Sequence, residues 1–183
     1  MKISIITITY NSAKTLPNTL QSVLSQTYPH IEHIIVDGDS TDGTKELIEA
    51  YAKEVQKGKD ECTREVRWVS EKDSGIYNAI NKGVEMATGD VIGFVHSDDM
   101  LFSSDSIEHI ANAFSSSNVD LIYGDLQYCK GDRWCVDGRV MRIILVHLNM
   151  VGCLRILQYI ASVRCMRKWV CMMSGFIYRL TMI

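Results

Sequence analysis

The sequence predicts an α/β fold built on a doubly wound, mostly parallel sheet. Three observations lead to it. Short runs of β-branched and apolar residues alternate with amphipathic helical stretches through the first 125 residues. The runs are continuously apolar, as in strands covered on both faces. Several of them end in Asp-, Gly- and Ser-rich turns. A chain of 183 residues is long enough for one domain with a substantial core.

Taken in order, Ile3–Ile8 is the first strand. Asn11 or Ser12 is expected to cap a helix bearing Leu16, Leu20, Val23 and Leu24 on one stripe, with Pro17 in its first turn and Tyr28-Pro29 closing it. Ile31–Val36 is the second strand and ends at Asp37-Gly38-Asp39-Ser40. Thr41-Asp42-Gly43-Thr44 then leads into a helix carrying Leu47, Ile48, Tyr51 and Val55 inward. The charged stretch 56–65 is expected to be an exposed loop. Val66–Val69 is a third strand, and Gly75–Ala87 a helix with Ile76, Ile80 and Val84 inward. A strand at Val91–Val95, a helix over 104–115 and a strand at Val119–Tyr123 complete the series. Such alternation implies right-handed crossovers between parallel strands.

Charge excludes some functions and divides the chain. Nineteen basic against 22 acidic residues give no reason to invoke nucleic acid. The distribution is uneven: residues 1–140 hold all 22 acids and 13 Lys/Arg, a net of −9. Residues 141–183 hold six Lys/Arg, no acid, six of the nine Met and three of the six Cys. Cys62, Cys129, Cys135, Cys153, Cys165 and Cys171 form no C-x-x-C pair, so neither a zinc site nor a small disulfide scaffold is indicated. The opening apolar run is about seven residues, too short for a signal peptide, and the expected location is cytoplasmic with free thiols.

The most informative segment is His96-Ser97-Asp98-Asp99, directly behind the apolar run Val91–Val95. It places adjacent carboxylates at the C-terminal end of a strand, the edge where open α/β sheets bind ligands. Neighbouring carboxylates resist joint ionisation unless a cation or strong donors offset them. A hard divalent ion shared with substrate phosphates does so, whereas the plainer reading makes Ser97-Asp98-Asp99 the cap of the next helix. Thr9 and Tyr10, at the end of the first strand, and Asp37 and Asp39, at the end of the second, belong to the same edge. Asp37 is placed to accept from a base N–H or ribose hydroxyl, or else to cap a turn. No G-x-G-x-x-G and no Walker lysine motif follows the first strand.

Several motifs in order resemble family 2 glycosyltransferases. They are Ile5–Asn11, Leu20–Tyr28, Val36–Thr44, Glu71–Gly83, Ala87-Thr88-Gly89-Asp90 and His96–Asp99, covering residues 1 to about 128. The resemblance implies a Rossmann-like GT-A fold, a nucleotide-diphosphate sugar donor, Mn²⁺ or Mg²⁺ dependence, and inversion at the anomeric carbon. By the same resemblance Thr9, Tyr10 and Asp37 would contact a uridine-type nucleoside. Asp73 and Lys82 lie in the segment that touches base or diphosphate, although Lys82 equally suits a solvated helix face. Asp98 would hold donor hydroxyls and Asp99 would ligate the metal. His96 is read as a packed or edge histidine in preference to a further ligand.

Transfer also needs a carboxylate base for the acceptor hydroxyl. In the family this base lies on the acceptor half, and the chain has no acid beyond Asp137. The expected organisation is therefore a GT-A-like sugar-nucleotide-binding domain over 1–140 and a basic apolar tail over 141–183 outside the family pattern, the product of a shifted frame or truncation, or else an interfacial segment for an anionic membrane face, or an ordinary core helix. The expected function is a glycosyltransferase in polysaccharide or cell-envelope glycan assembly, cytoplasmic or peripheral at the inner face of the membrane, with a glycan or lipid-linked acceptor. A non-catalytic sugar-nucleotide-binding remnant is the alternative. A nucleotidyltransferase is disfavoured, because Thr9–Thr15 is neither glycine-rich nor basic.

Overall fold

β1 (Ile3–Thr9) is buried at six of its seven residues and lies inside the sheet. In the computed structural model, residues 1–57 and 64–117 are described, together with strand segments at 121–123, 129–130, 133–134, 144–146 and 159–162. After β1 come α1 (Leu16–Leu24), β2 (Ile31–Asp37), α2 (Thr44–Lys57), β3 (Glu65–Ser70), α3 (Ile76–Met86), β4 (Val91–Phe94) and α4 (Ser106–Ser116). Five short strands follow: β5 (Leu121–Tyr123), β6 (Cys129–Lys130), β7 (Arg133–Trp134), β8 (Ile144–Val146) and β9 (Tyr159–Ser162).

The main sheet has the order β3-β2-β1-β4-β9-β5-β8. Its first four strands are parallel, and β9 runs antiparallel between β4 and β5. The alternating burial of each strand distributes the helices. Ile6, Ile34, Val36 and Ile92 turn to one face and meet Ala79 and Val84 of α3. Ile3, Ile5 and Val91 turn to the other with Val23 of α1 and Ile107 and Ile110 of α4, while Ile35 packs with Leu16 and Leu20 of α1 and Ile48 and Tyr51 of α2. The chain steps outward from β1 to β3 with α1 and α2 on one face. It then crosses back to β4 with α3 on the other, as uniformly right-handed crossovers require. α3 approaches closely because Gly83 has no side chain: a Cβ there would lie 2.5 Å from Ile6 Cγ2.

The elements depart from the sequence reading in three places. The first helix begins at Leu16 with Thr15 as its uncapped N-terminal residue, and Asn11 and Ser12 do not cap it. The Ser12 carbonyl instead accepts from the amides of Thr15 and Leu16 in a preceding turn. Ile76 was expected inward but is 54% exposed. It is the first residue of α3, and the helix first reaches the core at Ala79 and Ile80. Third, segments from beyond residue 140 enter the sheet: Ile144–Val146 pairs with β5, and Tyr159–Ser162 with β4 and β5. The rest of 141–183, and residues 58–63 of the expected charged loop, lie outside the described residues.

The buried side chains of Thr7, His33 and Glu32 inside this sheet are paired. Thr7 donates its hydroxyl proton to the Val95 carbonyl at 2.7 Å and therefore accepts from His33 Nε2 at 3.0 Å. The other ring nitrogen, Nδ1, then accepts from the Tyr51 hydroxyl at 2.8 Å, so the network assigns a neutral His33. At the opposite end of the strands, fully buried Glu32 accepts from Ser4, from the amide and hydroxyl of Thr88, and from Lys2.

These two groups set the response to acid. Burial pushes His33 down to about 3, from an ordinary 6.5. Burial pushes Glu32 up, but its donors Ser4, Thr88 and Lys2 outweigh that and hold it at about 2, against 4.5. Below 6.5 the unfolded chain binds a proton at His33 that the native ring refuses, so stability falls with pH. The contribution of Glu32 is present above 4.5 and is lost as pH drops towards 2. His33 alone is expected to remove about 2 kcal/mol between pH 6.5 and about pH 5, read by urea unfolding. His33→Gln should flatten that part of the profile, and a wild-type stability unchanged across it would contradict the assignment.

Candidate functional site

The parallel register brings the ends of three strands side by side. Thr9 of β1 is opposite Asp37 of β2, which is opposite Ser70 of β3. β4 lies on the other flank of β1, so the chain changes direction in the sheet between β1 and β4. In open α/β sheets this switch point, at the carboxyl ends of the strands, is where ligands bind.

Asp37 is fully buried. Its Oδ2 accepts from the Ser40 amide at 2.9 Å and from the Ser70 hydroxyl at 2.6 Å, while Oδ1 accepts from the Ser40 hydroxyl. This is the turn-cap arrangement, with the carboxylate turned into the protein. Ser70 was not anticipated as its partner, although its position at the end of β3 signals it once the register is known.

The loops above the strands are tied together through the same turn. The Asn11 amide donates to Ser40 Oγ at 2.8 Å, and Asn11 Oδ1 accepts from the Thr41 amide at 3.0 Å. Asn11 and Asp39 both adopt positive φ, 48° and 66°, a conformation that Asn and Asp tolerate better than most residues. Asp42 caps α2 by accepting from Thr44 and also accepts from the Ala13 amide at 3.0 Å. Those bonds, the Thr44 hydroxyl first, hold its carboxyl below the usual range. Asp39 is paired on the surface with Lys45 at 2.6 Å. Ser97 Oγ donates to Ser12 Oγ at 3.0 Å, joining the segment after β4 to the loop after β1.

A different set of groups gathers above the turn at Gly38. The Tyr10 ring is 64% exposed. It and Asp73 close over Gly38: a Cβ on that residue would lie 3.2 Å from Tyr10 Cδ2 and 3.4 Å from Asp73 Oδ2. Lys82 reaches from α3 to Asp73 at 2.6 Å and to Glu71 at 2.8 Å. These two bonds, Asp73 first, raise the Lys82 ammonium above its ordinary value. The structure thus brings Tyr10, Asp73 and Lys82 around one backbone floor, and adds Gly38 and Glu71, which the sequence reading had not singled out as site groups.

Thr9 is 2% exposed, and its hydroxyl is buried without a hydrogen-bond partner among the described residues. Such a group costs about 1–3 kcal/mol when left unpaired.

Asp98 and Asp99 follow β4 in a turn closed by the Asp99 amide donating to the His96 carbonyl at 3.0 Å. The helix-cap alternative for this motif fails, because α4 starts only at Ser106, with Asp105 at its N-terminal boundary. Asp98 is exposed and Asp99 half-buried. Neither carboxylate has a hydrogen bond or ion pair among the described residues. The His96 ring stacks on Phe94, with centroids 6.4 Å apart and planes 26° apart, and is half-buried as a packed edge residue. No group of three or more His, Cys, Asp or Glu able to hold a metal occurs among the described residues. Two free carboxylates fit a hard cation that takes the rest of its shell from phosphate oxygens and water.

A parallel α/β sheet with its switch point between β1 and β4 and a carboxylate pair at its carboxyl edge defines the class, and sequence comparison supplies the family. The profile of glycosyl transferase family 2 matches residues 4–167, and the chain belongs to that family. The match continues past the change of composition at residue 140 and takes in β8 and β9. The chain is 35% identical over 127 residues to a PGL/p-HBAD biosynthesis glycosyltransferase of Mycobacterium tuberculosis, covering 67% of this chain and 46% of the relative. It is 30% identical over 137 residues to an uncharacterized glycosyltransferase of Nostoc sp., covering 75% and 40%. It therefore spans less than half the length of these relatives. Among solved structures, S. aureus TarS 1–349 in complex with UDP-GlcNAc matches with a TM-score of 0.55 and 28% identity, over 66% of this chain and 33% of that one. The mannosyltransferase PcManGT of Pyrobaculum calidifontis, in complex with GDP-Man and Mn²⁺, has a TM-score of 0.58 at 24% identity, over 66% and 34%, and shares the fold.

The geometry makes a specific demand on Asp37. Replacing it with Ala leaves the Ser40 and Ser70 hydroxyls and the Ser40 amide without their acceptor. Asp37→Ala is expected to cost about 3 kcal/mol in urea unfolding. A variant as stable as wild type would remove Asp37 from its structural role.

Proposed function

We propose that this chain carries the donor-binding part of a glycosyltransferase that moves a sugar from a UDP-sugar to a hydroxyl acceptor with inversion, in polysaccharide or cell-envelope glycan assembly. The observation that carries the reading is the pair of unpartnered carboxylates, Asp98 and Asp99, beside β1 with its orphan Thr9 hydroxyl, in a member of glycosyl transferase family 2. The TarS match in complex with UDP-GlcNAc adds support for a uridine nucleotide.

The residues divide the work as follows. Tyr10 offers an exposed ring face to the base. Asp73 and Lys82 present an acceptor and a donor side by side to polar groups of the nucleotide. Asp37 supports this floor from beneath through Ser40 and Ser70, and its bearing on the nucleoside is through that support. Asp98 holds hydroxyls of the donor and Asp99 ligates Mn²⁺ or Mg²⁺, which when bound offsets the charge that develops on the leaving diphosphate. The acceptor hydroxyl must lose its proton to a carboxylate as it attacks. Asp125, Asp132 and Asp137 are the acids nearest the end of the acidic region, and they lie outside the described residues.

Because the chain spans less than half the length of these relatives, transfer is proposed for the whole protein and donor binding for this chain. The six Lys/Arg and no acids of residues 141–183 support a peripheral contact with an anionic inner membrane face near a glycan or lipid-linked acceptor. Among the described residues no helix is long and apolar enough to cross a membrane.

Calorimetric titration with UDP tests the reading. Mn²⁺ is expected to tighten wild-type binding by at least about tenfold, about 1.4 kcal/mol. Asp99→Ala should lose that gain, while Tyr10→Ala should weaken binding with and without metal. Equal wild-type affinity in the presence and absence of Mn²⁺ and Mg²⁺ would overturn it.

A further inference from the structure

The Asp98–Asp99 turn is held in place from the opposite wall. Thr19 of α1 is fully buried, and its hydroxyl donates to the Asp99 carbonyl at 2.8 Å and to the His96 carbonyl at 3.3 Å. These are the carbonyls of the first and last residues of the turn that bears the carboxylates. Along the same stripe, Ser22 Oγ donates to the Thr19 carbonyl at 2.8 Å and accepts from the Leu101 amide at 3.2 Å. Just past the helix, Gln26 is 2% exposed and donates to the Ser103 carbonyl at 2.7 Å while accepting from the Ile107 amide at 3.0 Å. The Thr27 amide then donates to the Ser104 carbonyl at 2.7 Å. Thr19 and Ser22 are three apart on one face of α1, and Gln26 follows two residues past its end. This polar stripe therefore runs beneath the segment between β4 and α4.

We propose that Thr19 is a positioning residue for Asp98 and Asp99, with Ser22 and Gln26 holding the segment that follows. The inference rests on reading Asp99 as the metal ligand. Neither carboxylate has a side-chain partner among the described residues, so their directions follow from the backbone that carries them. A buried hydroxyl on both carbonyls fixes that backbone. Fixing the peptides at His96 and Asp99 sets the direction of the Asp99 Cα–Cβ bond, leaving two side-chain torsions for the ligand. Outer partners that orient metal ligands are worth about 10- to 100-fold in metal affinity, so the hydroxyl is expected to act on metal-linked binding and not on nucleotide binding as such.

The test compares Thr19→Ser, Thr19→Ala and Thr19→Val on the full chain. UDP is titrated with and without Mn²⁺, and amide hydrogen exchange is followed over residues 96–104. Serine keeps the hydroxyl without the methyl, alanine lacks both, and valine keeps the shape without the hydroxyl. Thr19→Ser should retain the Mn²⁺ enhancement. Thr19→Ala and Thr19→Val should reduce it about tenfold, leave metal-free UDP affinity as in wild type, and speed exchange at the Asp99 amide. If Ser and Ala both keep the enhancement, or both lose it, the hydroxyl is not responsible and the proposal falls; this comparison decides even where the valine variant fails to fold. Wild-type binding indifferent to Mn²⁺ would instead remove the metal reading of Asp99, on which the proposal rests. Loss of enhancement in Thr19→Ala with exchange unchanged would exclude positioning as the cause.

Discussion

The carboxylate of Asp37 is the interaction on which the site end of the molecule depends. It is buried completely at the end of an apolar strand, and three donors from Ser40 and Ser70 make that burial tolerable. Through Ser70 it fastens the end of β3 to β2. Through Ser40 it shapes the turn after β2, and Ser40 in turn receives the Asn11 amide from the loop after β1. One charged group thereby coordinates three of the loops at the sheet edge, and Tyr10, Gly38 and Asp73 take their places above it. A site assembled on such a floor is preorganised by strands, with loops contributing only the outermost groups.

The same economy of polar groups recurs along the sheet. Glu32 occupies the far end of β2 and Asp37 the near end, each fully buried and each surrounded by donors. Between them His33 bridges Thr7 and Tyr51. All three belong to β2, flanked by β1 and β3, and a one-residue slip in pairing would separate Glu32 from Ser4, His33 from Thr7 and Asp37 from Ser70. Polar pairing thus adds specificity of register to an apolar sheet whose hydrophobic runs alone discriminate weakly between registers.

Strand and helix identities were legible because their signals are local. Ile3–Thr9 and Ile31–Asp37 contain almost nothing but residues that suit a doubly covered strand, and the stripe Leu16, Leu20, Val23 has a helical period. The placing of Asp98 and Asp99 at a strand end followed from the same logic. Helix starts were less legible. Asn11 and Ser12 have the chemistry of caps, yet they serve loops near in space, because Ser40 and Thr44 offer them partners about thirty residues away. The buried Thr19 carried a signal of its own, a polar residue inside the apolar stripe of α1, but the carbonyls it serves are some eighty residues distant.

By itself, the sequence determined the fold class, the parallel strands β1 to β4, the location of the carboxylate pair at their carboxyl edge and the family to which the chain belongs. These follow from hydrophobic period and motif order, which are properties of neighbouring residues. Tertiary structure alone decided which carboxylates are engaged and which are free. Asp37 and Asp98 are equally acidic on paper, but register gives Asp37 the hydroxyl of Ser70 and seals it, while the turn after β4 leaves Asp98 and Asp99 without partners. It also decided that residues 144–146 and 159–162 join the main sheet across the change in composition at residue 140. Strand pairing joins backbone to backbone, so no residue type in that stretch had to announce it.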